Sequence, residues 1–232
     1  MAHEALVEMA AENPGQLHLV CLGPLTNVAR AIQTDNNFPS NLGSLLIMGG
    51  DYGDIPKKMG AEFNFFKDAE AADLVLKEAP GKCPIIIVPF DACTVTGRNC
   101  SWEWFDESVI PNSDECRFRS FMRNLYIPYR QLVPVFSSCD AIAMAAFMEP
   151  NSIVDADDFH PSGFAVQLDY YEEKPKPNEK CPGGQRGCII LGTRIENGEK
   201  SQGKIVKIVN RVNHEHFKSY VTETMEFFYN KL

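Results

Sequence analysis

Leu45-Leu46-Ile47-Met48-Gly49-Gly50, then Ala61-Glu62-Phe63-Asn64, then Asp68-Ala69-Glu70-Ala71-Ala72, carries the architecture of this chain in three short segments. Four apolar residues read as a buried strand, and a glycine pair ends it. A loop then delivers one carboxylate and one carboxamide two residues apart, and Asp68 caps an alanine-rich helix. Glu62 and Asn64 together offer acceptors and donors to neighbouring hydroxyls, which suits a polyhydroxylated ligand. The same pair also suits a plain loop stabiliser of the Asx type.

On either side of these segments the strand-loop-helix pattern repeats. Residues 2–11 read as a helix, ended by the Asn13-Pro14-Gly15 turn. Residues 17–22 form a short apolar run, Gly23-Pro24 breaks it, and Thr26 is placed to cap a helix bearing Val28, Ala29 and Ile32 on one face. A helix over 69–77 ends at Pro80-Gly81, and residues 84–88 make a third buried strand that closes on Pro89-Phe90-Asp91. The fold class predicted is α/β: a mostly parallel sheet flanked by helices.

The second half is less regular. Residues 115–132 predict a long helix with Phe118, Phe121, Met122 and Leu125 on a face, bent or ended near Pro128. Cys139 and Asp140 open a helix that Pro150 ends; from position alone Asp140 reads either as an N-cap or as a free carboxylate. Residues 152–170 read as extended segments around His160-Pro161-Ser162-Gly163, and 172–187 as an exposed excursion. A strand over 203–210 and a helix over 214–231, with Phe217, Val221, Met225 and Phe228 in register, close the chain. With no repeat and no linker, residues 1–232 are expected to form a single domain.

Composition narrows the function classes. A net charge of −9 with no basic stripe argues against a nucleic-acid partner. The apolar runs are short and end in Gly, Pro or Asp, so no membrane span is predicted. The acidic start Met1-Ala2-His3-Glu4 is unlike a signal peptide, which points to the cytoplasm unless a longer precursor carries one. Eight cysteines lack metal-site spacing and read as buried thiols; Cys93 with Cys100 and Cys181 with Cys188 are the disulfide alternatives. Asn99-Cys100-Ser101 fits a glycosylation sequon.

In parallel α/β sheets ligands sit beyond the carboxyl ends of the strands. Leu22-Gly23-Pro24-Leu25-Thr26-Asn27, Met48-Gly49-Gly50-Asp51 and Val88-Pro89-Phe90-Asp91 all occupy such ends. Their glycines let a backbone carbonyl approach a ligand or a hard cation.

Gly23-Pro24-Leu25-Thr26-Asn27, Met48-Gly49-Gly50, Ala61-Glu62-Phe63-Asn64 leading to Asp68-Ala69-Glu70-Ala71-Ala72, and Cys139-Asp140-Ala141 stand in an order and at gaps that resemble the inosine/uridine-preferring nucleoside hydrolases. The resemblance covers the chain from about residue 15 onward and implies a nucleoside hydrolase-like, Rossmann-like sheet. It implies hydrolysis of the N-glycosidic bond of a purine or pyrimidine nucleoside to base and ribose, with calcium holding the ribose and the attacking water. Carried over, Leu22 through its carbonyl and Asp140 through its carboxylate are metal ligands. Glu62, Asn64, Met48 and Asp140 contact substrate, and Asp140 and Asn64 take the catalytic roles. A homodimer or tetramer is also implied.

Two departures accompany the match. The family's D-x-D-x-G-x-D-D signature at the end of its first strand has no counterpart near the start of this chain. The resemblance therefore implies a domain without its N-terminal strands, a calcium site short of ligands and an apolar sheet edge. Cys139 stands where many members carry the histidine that protonates the leaving base, and a thiol is a poor substitute near neutral pH. His160, or the aromatics Trp102, Trp104 and Tyr126, are alternatives, each also readable as turn, core or lid. These 232 residues alone are expected to be weak or inactive. The alternative function is a non-catalytic nucleoside- or ribose-binding or interaction protein of the same fold. A dinucleotide-binding dehydrogenase is excluded for want of G-x-G-x-x-G, and a cysteine hydrolase at Cys139 lacks an elbow motif.

Overall fold

A computed structural model describes residues 1–51, 61–97, 100–110, 117–133, 135–136, 138–154, 159–160, 164–166, 187, 189–191 and 206–229. The turn at 161–163, the excursion up to residue 186, and Asn99, Cys116, Cys181 and Cys188 lie outside the described residues. In chain order the elements are α1 (Ala2–Glu12), β1 (Leu17–Cys21), α2 (Thr26–Thr34), β2 (Leu42–Met48), α3 (Phe63–Lys67), α4 (Ala69–Glu78), β3 (Ile85–Val88) and α5 (Phe90–Gly97). They continue as α6 (Trp102–Trp104), α7 (Arg117–Arg130), α8 (Cys139–Met148), α9 (Pro150–Ile153), β4 (Phe159–His160), β5 (Phe164–Val166), β6 (Ile189–Leu191), β7 (Val206–Val209) and α10 (His214–Tyr229). The chain divides into two compact units, 1–91 with 159–210, and 92–158 with 211–232.

The first unit holds the sheet, in the order β1-β2-β3-β7-β4. The first four strands run parallel and β4 returns antiparallel to β7. Register places Ile47 between Cys21 and Ile87, and Ile87 beside Ile208. Leu45, Leu46, Ile47 and Met48 are all buried, as a strand covered on both faces requires. The expected mostly parallel α/β sheet is therefore present. β2 starts earlier than expected because Leu42 pairs with Leu17, a partnership that the intervening Gly43 and Ser44 conceal. His160, expected in a loop, lies in β4 opposite Ile208.

Helix α1 packs on α2 and α2 on α4, and together with the sheet they enclose Phe38, Leu45, Ile47, Phe65, Val75, Ile85 and Ile87. Each such side chain contributes about 1.5–3 kcal/mol through burial. β1 ends the strand order, with Leu17, Leu19 and Val20 half-buried. A separate hairpin pairs β5 with β6.

The second unit is helical and organised by aromatic rings. Trp102 packs edge-on against Phe105 and Phe136, Phe105 stacks on Phe136 at 4.5 Å, and Tyr126 and Tyr129 close the cluster. The Trp102 indole donates to the Val133 carbonyl at 3.0 Å, and the Arg130 guanidinium lies over its ring while pairing with Asp106. On α7, Phe121 and Leu125 are 61% and 56% exposed. α7 is apolar on more than one face, and the aromatic cluster selects the face carrying Tyr126 and Tyr129. In α10 Phe217 is buried, whereas Phe228 is exposed. Among the described residues no helix is long and apolar enough to cross a membrane.

Candidate functional site

β2 delivers its carboxyl end at Met48-Gly49-Gly50-Asp51, beside the end of β3. The Gly49 amide donates to the Val88 carbonyl at 3.2 Å, and the Phe90 amide to the Gly50 carbonyl at 2.9 Å. Gly50 has φ 74°, the left-handed region in which glycine is at ease. This turn aims the Gly50 amide at Glu62.

Residues 63–67, a loop by local pattern, instead form α3 with Glu62 as its N-cap. The Glu62 carboxylate accepts the Asn64 amide at 2.7 Å on Oε1, and the Phe65 and Gly50 amides at 3.0 and 2.9 Å on Oε2. The Glu62 amide in turn donates to Asp51, which is wholly buried. A carboxylate offers about four acceptor sites, and the donors among the described residues fill three, leaving one on Oε1. Burial pushes the Glu62 carboxyl above its ordinary value; the three amides oppose that shift and Asp51 adds to it. The loop-stabilising and ligand-reading roles of Glu62 are thus compatible, because the donors among the described residues leave one acceptor site over.

Asn64 lies in the first turn of α3 and is 7% exposed. Its carboxamide nitrogen donates to the Met48 carbonyl at 3.0 Å and approaches the Met48 sulfur at 3.3 Å. Among the described residues nothing donates to its Oδ1, so that oxygen is the acceptor left for a hydroxyl. Met48 itself is buried and holds Asn64 through its backbone. Asn64, Glu62 and Met48, singled out from the sequence, are brought together.

Asp68 caps α4 through the Ala71 amide at 3.1 Å and also accepts the Thr26 hydroxyl. The expectation that Thr26 caps α2 is corrected: Leu25 holds that position, and Thr26 is the first helical residue, free to reach Asp68. Asp51 and Asp91, placed at strand ends by the sequence, are also buried; their burial is what sequence reasoning missed, and a charge directly after an apolar run and a turn was the available signal.

In the second unit Ser138, not Asp140, caps α8, accepting the Ala141 amide at 3.3 Å. Asp140 is exposed in the first turn and its carboxylate is not consumed by capping; partial burial raises its carboxyl above the ordinary value. The Cys93 thiol lies 3.8 Å from the Cys139 carbonyl oxygen. Cys21, Cys83, Cys93, Cys100 and Cys139 are free thiols, so the Cys93–Cys100 disulfide alternative is not formed. Trp102 is a core residue of the aromatic cluster.

Of the two oxygen donors expected for a hard cation, the Leu22 carbonyl follows β1 in the first unit and the Asp140 carboxylate lies in α8 of the second. Both are oxygen donors of the right chemistry. Among the described residues no group of three or more His, Cys, Asp or Glu suited to a metal occurs.

The mostly parallel sheet with covering helices and polar residues at its strand ends defines an α/β protein. The family model described as inosine-uridine preferring nucleoside hydrolase matches residues 1–219, and the chain belongs to that family. It is 44% identical over 75 residues to a probable uridine nucleosidase 2 of Arabidopsis thaliana, an alignment covering 31% of this chain and 23% of the relative. It is 33% identical over 135 residues to the pyrimidine-specific ribonucleoside hydrolase RihA of Enterobacter sp. (strain 638), covering 58% of this chain and 38% of that protein. The alignments thus span well under half of these relatives' lengths. Among solved structures, an inosine-guanosine nucleoside hydrolase superposes with a TM-score of 0.76 at 22% identity, covering 97% of this chain and 68% of its own. A plant nucleoside hydrolase gives 0.73 at 21%, covering 97% and 66%. These likenesses show the fold.

Proposed function

We propose that the chain carries the ribose-reading part of a nucleoside hydrolase, with Glu62 and Asn64 holding sugar hydroxyls. The observation that carries this reading is the Glu62–Asn64–Met48 arrangement: two buried polar side chains, fixed by backbone groups at the end of a parallel strand, each with one acceptor that no described residue fills. The reaction is hydrolysis of an N-ribosidic bond, releasing base and ribose. Its oxocarbenium-like transition state is stabilised by oriented hydroxyl contacts and nearby carboxylates. The family model spans 1–219, across both compact units, which supports taking the chain as one nucleoside hydrolase-like domain.

The metal in this reading is calcium, which when bound orients and acidifies a water; the Leu22 carbonyl and Asp140 contribute to its shell. Asp140 serves both metal and ribose, and its exposed carboxylate at the start of α8 supports that role. Two protein donors and a thiol at Cys139 in place of an imidazole are weak provision for water activation and leaving-group protonation. We therefore expect these 232 residues alone to bind nucleoside better than they cleave it, which keeps the non-catalytic nucleoside-binding alternative in play. The five free thiols suit a reducing, cytoplasmic setting, and a homodimer or tetramer belongs to the same reading.

Uridine and inosine are incubated with the purified chain with calcium and with chelator, reading reducing sugar released and, in parallel, heat of binding. Calcium-dependent sugar release supports catalysis, and binding without release supports the non-catalytic alternative. Failure of both nucleosides and of ribose to bind at millimolar concentration overturns the ribose-reading assignment.

A further inference from the structure

A five-residue helix has no stability of its own, so α3 must be held by what it touches. Two glycines give it room. A Cβ on Gly49, at the end of β2, would lie 2.5 and 2.7 Å from the Phe65 ring. A Cβ on Gly187 would lie 2.8 Å from the Phe66 amide nitrogen, 2.9 Å from Phe66 Cα and 3.0 Å from the Phe65 carbonyl carbon. The first neighbour is a side chain; the second set is helix backbone, which cannot swing aside. Gly187 is buried and has φ 91°, so its backbone conformation and its surroundings both exclude a side chain.

From this we infer that Gly187 is a positioning residue for the ribose-reading pair: its close seat on the Phe65–Phe66 peptide fixes the angle at which α3 presents Asn64 and keeps the Glu62 cap closed. The inference rests on the reading of Glu62 and Asn64 as hydroxyl contacts. Gly187 lies two residues before β6, so the β5–β6 hairpin, distant in sequence from Asn64, takes part in shaping the site. Any side chain at 187 pushes directly on the peptide that joins Phe65 to Phe66. The amides of Asn64 and Phe65, which donate to Glu62, are the groups that register the push.

Gly15 supplies the control: it has φ 74°, but a Cβ added there would meet nothing within 4 Å. Gly187→Ala and Gly187→Asn are compared with Gly15→Ala and Gly15→Asn; asparagine tolerates the left-handed region, so the Asn pair isolates the close approach from backbone strain. Hydrogen exchange and nucleoside binding are both read. The expected result is at least tenfold faster exchange at the amides of Asn64, Phe65 and Phe66 in the 187 variants, with sheet amides at the wild-type rate. Uridine affinity falls at least tenfold, and the Gly15 variants show neither change. Exchange at 64–66 within twofold of wild type overturns the inference, as does a uniform rise across the sheet. So does failure of both 187 variants to fold while the Gly15 variants fold, since the contact would then serve the fold alone. If wild-type chain binds no nucleoside, the ribose-reading assignment fails by itself, and the exchange pattern still decides whether Gly187 sets the position of α3.

Discussion

The Thr26 hydroxyl donates a hydrogen bond to the Asp68 carboxylate, 42 residues further along the chain. It joins the first turn of α2, just beyond the Leu22–Gly23 loop, to the cap of α4, which follows directly on the helix bearing Asn64. Thr26→Val removes this bond while keeping the shape, and should cost about 1 kcal/mol. Asp68→Ala also opens the α4 cap and should cost about 1–2 kcal/mol. Urea denaturation of both and of the double variant checks this: the double variant should be no less stable than Asp68→Ala alone.

Glu62 gives a pH signature. Its carboxyl is raised in the folded chain by burial, so the native state holds its proton to higher pH than the unfolded chain does. Linkage then makes its contribution to stability fully present below the unfolded value of about 4.3 and lost as pH rises through the folded value. In Glu62→Gln this falling component disappears. That variant also leaves at least one buried amide without an anionic acceptor, costing about 1–3 kcal/mol. Unfolding curves from the acid to the neutral range should show a lower but flatter profile for the variant; parallel profiles would contradict the assignment.

Asn64→Ala should separate binding from folding. It removes the bond to the Met48 carbonyl, at a cost of about 1 kcal/mol. It also removes the Oδ1 acceptor, so uridine affinity should fall about tenfold, equivalent to about 1.4 kcal/mol. Calorimetric titration of the folded variant reads the second effect independently of the first.

Asp140 and Ser138 should divide their roles cleanly. Ser138→Ala loses the α8 cap and should be destabilised by about 1 kcal/mol. Asp140→Asn alters an exposed group and should shift calcium-free stability by no more than about 0.5 kcal/mol. If Asp140 is a metal ligand, any rise in thermal midpoint on adding calcium should be lost in Asp140→Asn and kept in Ser138→Ala.

Thiol chemistry should follow burial. The Cys21 thiol is pushed up to about 12, and those of Cys83 and Cys100 to about 11, by burial. Cys93 is wholly enclosed, whereas Cys139 is half-buried at the start of α8. Among these five, Cys139 should be alkylated first by iodoacetamide in the native chain. Peptide mapping of a time course measures the order.

The strands and the main helices were legible in the order of the amino acids. Residues 45–48 and 85–88 are continuous apolar runs bounded by Gly or Pro, and such runs have few alternatives once a covered sheet is available. The family was legible from the resemblance that four short motifs bear, in their order and gaps, to the nucleoside hydrolases. The cap at Asp68 was legible because it acts on an amide three residues away.

Pairings between distant residues emerged only with the folded chain. Phe63-Asn64-Phe65-Phe66-Lys67 becomes a helix because the Gly50 turn and the Glu62 cap meet there, which no local propensity announces. α7 turns Phe121 outward because an apolar periodicity names candidate faces, while the ring cluster around Trp102 selects among them. Thr26 abandons its expected cap for Asp68, and Gly187 closes on Phe66. Each of these is a contact whose energy exists only after remote segments have come together, so the sequence held the partners without showing the pairing.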